Sequence, residues 1–200
     1  MIDQRLRPVF QKVFVANVAK ILGNKVKPNA VTLLALFVGL LSALSLFYDK
    51  YLCVLLLLLS GYLDILDGSI ARLQNSSSNF GTLLDILSDR AVEVFIIVAI
   101  FINQPLQNLW IAVFIFISIS FCMYSFLLVG IFSQKESKKS FYYSPGLIER
   151  AETFVFFIIM ILLPTTVFYL GVIYTILVLW TAGYRCYEFY CSEKISKERT

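Results

Sequence analysis

The chain has 200 residues, 59% of them hydrophobic, with no histidine and a formal net charge of +4. A mean hydropathy of +0.81 excludes a soluble globular domain and points to one polytopic membrane domain. The four cysteines (Cys53, Cys122, Cys186, Cys191) form no CxxC pair, so neither a zinc site nor a disulfide framework is indicated, and they read as small apolar fillers.

Residues 1–28 read as an amphipathic juxtamembrane helix and linker. Ile2, Leu6, Phe10, Val13, Phe14, Val18 and Ile21 recur every three to four residues, with Arg5, Arg7, Lys12 and Lys20 between them. That pattern suits a basic helix lying at the membrane interface, or an ordinary packed helix; the short apolar run excludes a cleavable signal. Residues 29–191 form the expected membrane domain. Six apolar runs, at about 29–48, 51–73, 80–102, 109–132, 147–163 and 167–190, each approach the roughly 20 residues that cross hydrocarbon. Asn29 is expected to cap the first helix. Residues 192–200 form a charged tail.

Both ends of the chain, the turn between the second and third runs and the loop after the fourth fall on one side of the bilayer. They carry nearly all the Lys and Arg, with Lys50 the exception and Arg90 one turn into the third run. Positive-inside bias then places both termini in the cytoplasm, at the cell membrane. The expected fold class is an all-α polytopic membrane protein, with six transmembrane helices plus an N-terminal amphipathic interfacial helix.

Four aspartates gather at the cytoplasmic ends of the second and third runs. Asp64 and Asp67 are three apart and Asp85 and Asp89 four apart, so each pair shares a helix face. The polar turn 74–79 joins the two arms. Carboxylates in a lipid-embedded helix are costly and mark function. Four together repel unless a cation lies between them, and oxygen donors without His or Cys favour Mg²⁺ or Mn²⁺. Two divalent ions would hold a phosphate chain and stabilise a leaving oxygen. Gly68 and Gly81 remove side chains beside the acids, and Arg72 can answer a phosphate charge. A cation pathway uses intramembrane acids too, but these cluster at one membrane face.

The stretch Asp64-x2-Asp67-Gly68-x2-Ala71-Arg72-x8-Gly81-x3-Asp85-x3-Asp89 resembles the signature of the CDP-alcohol phosphatidyltransferases. The resemblance implies an enzyme of phospholipid biosynthesis that moves a phosphatidyl-type group from a CDP-lipid, CDP-diacylglycerol or an ether analogue, to a small polar alcohol and releases CMP. It implies that Asp64, Asp67, Asp85 and Asp89 hold the metal and that Asp89 is also the general base. Gly68, Ala71, Arg72, Ser78 and Gly81 would line the CDP-lipid pocket, with Asn29 and Thr32 beside it. Ser78 also reads as simple turn chemistry.

Gly146-Leu147-Ile148-Glu149-Arg150-Ala151-Glu152 is similar to a stretch of the inositol-phosphate branch. Arg150 would meet the acceptor's phosphate or pair with Glu149 and Glu152. Arg185 would touch the acceptor or anchor its helix. Glu93, four after Asp89, would tune the base or bond to another helix. That branch carries basic residues on the fourth span, where this chain has Met123-Tyr124-Ser125-Phe126, which leaves serine and inositol open as acceptors. A homodimer is implied by the family, and membrane lipids but no nucleic acid are expected as partners. The alternative donor is CDP-choline or CDP-ethanolamine with diacylglycerol as acceptor; a cation transporter is the alternative class.

Overall fold

The computed structural model describes residues 15, 18–19, 21, 26–132 and 147–197. Among them the structure is all-helical: α1 Pro28–Ser45, α2 Lys50–Leu73, α3 Asn79–Ile102, α4 Leu109–Phe132, α5 Arg150–Leu162 and α6 Val167–Lys197. Two short 3-10 turns, Leu106–Asn108 and Pro164–Thr166, precede α4 and α6. Most of the N-terminal segment and the Lys-bearing loop after α4 lie outside the described residues, and so does Gly146.

Four segments are long and apolar enough to cross a membrane: Pro28–Ser45, Lys50–Leu73, Leu106–Phe132 and Pro164–Ser192. Two of the six expected spans do not meet that description. Helix α3 carries Asp85, Asp89, Arg90 and Glu93 within its 24 residues, and α5 has 13 residues, short of the roughly 20 that span hydrocarbon. The last helix also runs further than expected. It continues to Lys197, through part of what reads in sequence as a tail, because no Gly or Pro interrupts Ser192–Lys197.

The chain divides into two compact units. The first takes residues 4–105 together with Phe157–Pro164. Its centre is α1, which packs against both α2 and α3. The α1–α2 pair is tied by serine hydroxyls: Ser42 Oγ donates to the Cys53 carbonyl at 2.8 Å, and Ser60 Oγ to the Ala35 carbonyl at 2.8 Å. In a membrane, where lipid is as apolar as leucine, such bonds contribute about 0.6 kcal/mol each and close packing supplies the rest. Gly39 is the close-packing point between α1 and α3. A Cβ there would stand 2.4 Å from Val92 Cγ2 and 2.9 Å from Ser60 Oγ.

Asp49 caps α2 by accepting from the Tyr51 amide at 2.8 Å. Lys50, the one cation that breaks the charge bias, donates from Nζ to the Leu162 carbonyl at 3.2 Å. It thus meets the negative end of α5. At the other end of the unit, Val15 and Ala19 are fully buried against Val31, Leu66 and Ile70. Val15 and Ala19 therefore pack on the helices beside the aspartates. The packed face includes Val15 and Ala19, which the apolar periodicity passed over, while Ile21 is exposed.

The second unit holds residues 106–156 and 165–200 with the first three. Here α4 packs on α6. Arg185 on α6 is 8% exposed and donates from Nη1 to the Cys122 carbonyl at 3.0 Å and to Ser125 Oγ at 3.1 Å on α4. Its guanidinium lies 5.4 Å from the centroid of the Phe126 ring.

Candidate functional site

The site grows from the α2–α3 turn. Helix α2 ends in a Schellman motif: the Ser76 amide donates to the Ala71 carbonyl at 3.0 Å and the Asn75 amide to the Arg72 carbonyl at 3.3 Å. Asn75 takes the left-handed position, φ 48°. Asn adopts that region more readily than other residues with a Cβ. The Gln74 side chain then reaches back and donates to the Val26 carbonyl at 3.0 Å, fastening the turn to the segment before α1. Ser78 caps α3, its hydroxyl accepting from the Gly81 amide at 3.0 Å. Two capped helix ends joined by a short turn fix how the α2 and α3 acids face each other.

Asp64, Asp67 and Asp85 converge. One carboxylate oxygen of each lies within 4.8 Å of the others, and Asp64 and Asp67 are buried. Asp89 lies one turn further along α3, outside that group and half-buried. The donor set fits a hard divalent cation. It consists of three carboxylates gathered in a partly dry place, in a chain without His.

Beside the acids opens a cleft of about 170 Å³. From α2 it is lined by Asp67, Gly68, Ala71 and Arg72, and from α3 by Gly81, Thr82 and Asp85. Asn29 and Thr32 close it from α1, together with Pro28, and Ser76 to Ser78 form its rim. Every residue that the sequence assigned to the CDP pocket lies on this cleft. Pro28, Ser76, Ser77 and Thr82 were missed; their adjacency to the motif is the only signal they carry. Gly81 leaves space where a Cβ would stand 3.2 Å from both Asn29 Oδ1 and Ser78 Oγ. Arg72 is exposed at the cleft, and its Nη2 donates to Ser69 Oγ at 3.1 Å.

The expected cap at Asn29 is not what forms. Helix α1 starts at Pro28, with Lys27 in the capping position and no side-chain cap bond. Proline suits the first helical position, so the helix begins one residue earlier and Asn29 is left to face the cleft. Thr32 is buried and bonds back to the Pro28 carbonyl at 3.2 Å.

The two candidate acceptor residues belong to the second unit. Arg150 opens α5 and stacks over Phe154, with its guanidinium carbon 5.6 Å from the ring centroid. Glu152 Oε2 accepts from the Glu149 amide at 3.2 Å, half of a capping box. Arg185 bridges α6 to α4 as described.

A family model for CDP-alcohol phosphatidyltransferases matches residues 25–183. The chain belongs to the CDP-alcohol phosphatidyltransferase family. With it the chain falls among the transferases of substituted phosphate groups. Proteins described as bifunctional IPC transferase and DIPP synthase are similar over a shorter stretch. The one from Aquifex aeolicus (strain VF5) is 39% identical over 70 residues, 35% of this chain and 16% of that protein. The one from Archaeoglobus fulgidus is 39% identical over 82 residues, 41% of this chain and 17% of that protein. The chain thus matches less than a fifth of the length of these two relatives. The inner membrane protein YnjF of Escherichia coli (strain K12) is 29% identical over 173 residues, covering 82% of this chain and 83% of its own.

The fold is shared with a crystal structure of the phosphatidylinositol phosphate synthase of Mycobacterium tuberculosis with CDP-DAG bound. The TM-score is 0.71 at 17% identity, over 88% of this chain and 94% of that one. The likeness is one of fold. Together with the four apolar spans, the family match makes the chain a membrane protein.

Proposed function

We propose that the protein transfers a phosphatidyl-type group from a CDP-linked lipid to the hydroxyl of a small polar alcohol, releasing CMP. The observation that carries this reading is the convergence of Asp64, Asp67 and Asp85 at a cleft walled by glycine, alanine and arginine. Small residues let a pyrophosphate approach the acids, and Arg72 meets its charge. The four aspartates are proposed as the metal-binding set for two Mg²⁺ or Mn²⁺ ions. Such ions, when bound, supply the positive charge that offsets a pyrophosphate beside three carboxylates.

In the reaction, the acceptor oxygen bonds to the lipid-side phosphorus. The bond from that phosphorus to the bridging oxygen breaks, and CMP leaves with the electron pair. Asp89 takes the hydroxyl proton. Its place outside the tight group of three supports that role, because a base must stay open to the acceptor. Asn29, Thr32, Ser78 and Gly81 position the nucleotide end. Arg150 and Arg185 are proposed on the acceptor side.

The six-span topology with an interfacial N-terminal helix, the 29–191 boundary of the membrane domain, the cytoplasmic site and termini, and a homodimer all belong to this reading. The charge bias supports the orientation. The neighbour of like fold is a phosphatidylinositol phosphate synthase, which keeps inositol and inositol phosphate beside serine and glycerol phosphate in the trial set. The test is CMP release by purified protein from CDP-diacylglycerol, with Mg²⁺ or Mn²⁺ and one acceptor at a time. Metal-dependent release with a single acceptor is expected. If CMP appears only from CDP-choline or CDP-ethanolamine with diacylglycerol, the donor is reversed. Silence with every pair, an ether-lipid donor included, refutes the reading.

A further inference from the structure

Helix α3 carries a third acid on the face of Asp85 and Asp89. Glu93 follows Asp89 by four residues, about 6 Å along the axis, and is 3% exposed. Arg90 is the one cation in the sequence of α3, Asn79–Ile102. Its Nη1 is ion-paired with Glu93 Oε2, and its side chain is 31% exposed. Val92, next to Glu93, is the residue locked against Gly39, so this turn of α3 has little freedom to rotate.

A lone arginine beside Asp89 would put one unit of positive charge next to carboxylates that must gather divalent cations. At about 10 Å, with an effective dielectric constant of about 40, between protein and water, one charge acting on a divalent ion changes its affinity roughly fifteenfold. A lone buried glutamate here would be costly as well. Paired, the two contribute no net charge to the site.

We propose that Glu93 is a positioning residue that holds the Arg90 charge in a neutral pair and so protects the cation affinity of the aspartate site. Glu93 touches neither substrate nor metal; it acts through Arg90. The inference rests on the reading of Asp64, Asp67 and Asp85 as a divalent-ion site.

The test is Mn²⁺ binding to full-length protein in detergent, read from the loss of the free-ion signal in electron paramagnetic resonance, without turnover. E93Q is expected to weaken Mn²⁺ binding about fifteenfold, by leaving the arginine uncompensated. R90Q is expected to bind no more weakly than the parent. The R90Q/E93Q double variant is expected to return to the parent's affinity. A purely structural role predicts the opposite for the double variant, which lacks the pair altogether. Parent-like binding by E93Q, or a double variant as weak as E93Q, overturns the inference. Absence of Mn²⁺ binding in the parent itself overturns the metal reading on which it stands, and the inference with it.

Discussion

Gly39→Ala is a substitution far from the chemistry that should nevertheless slow it. The new Cβ would lie 2.4 Å from Val92 Cγ2 and 2.9 Å from Val92 Cγ1. Ordinary carbon contacts begin near 3.5 Å, so α1 and α3 must part by about 1 Å. Rotation of Val92 gives little relief, because a β-branched side chain on a helix has one strongly preferred rotamer. On the other side Ser60 Oγ, 2.9 Å away, is held by its bond to the Ala35 carbonyl. Overpacking of this kind costs about 1–3 kcal/mol of stability. The catalytic cost is larger. Asp85 rides on α3 and must stay within reach of Asp64 and Asp67 on α2. A 1 Å misplacement of such groups lowers turnover by about 10²-fold. CMP release and thermal unfolding in detergent measure the two effects side by side. Restoring space with the G39A/V92A pair should recover most of the activity. Parent-like turnover and stability in G39A alone would refute the reasoning that close α1–α3 packing at Gly39 holds α3, and Asp85 with it, in place.

Three further outcomes are expected. Asp89→Asn should lower transfer by about 10²–10⁴-fold while the protein elutes and melts like the parent; near-normal turnover would remove Asp89 as base. Asn75→Val should destabilise by about 1–2 kcal/mol, since a β-branched residue is strained at φ 48°, whereas Asn75→Gly should be neutral or better; equal melting of the two would show that the turn adopts another conformation. Ser78→Ala should cost about 1 kcal/mol through the lost cap on α3, and Ser78→Thr should retain most of it. A Ser78→Ala variant that melts like the parent but binds CDP-lipid poorly would instead make the hydroxyl chiefly a ligand contact.

Much of this protein was legible without coordinates. Membrane residence follows from apolar runs of about 20 residues, which depend on composition alone. The pairing of the aspartates follows from helical spacing, a local property: residues three and four apart share a face whatever the helix packs against. The turn 74–79 was equally readable, because Gln, Asn and Ser there leave no apolar face to continue a helix. Neither the start of α1 nor the end of α6 came out as expected. Helix ends depend on which of several adjacent residues satisfies the last backbone groups, and Pro28 displaced Asn29 from the cap.

What only the tertiary structure decided concerns partners distant in sequence. Ser42 finds Cys53, Lys50 finds Leu162, and Arg185 finds Cys122 and Ser125, pairings that no periodicity announces. Gly39 carries no motif, yet it is where α1 and α3 meet. The acids were visible as a pattern, but their division into three gathered carboxylates and a fourth set apart was not. Spacing along one helix fixes which face a side chain takes. Its distance from a group on another helix depends on how the two helices pack, and that is settled by side chains remote from both.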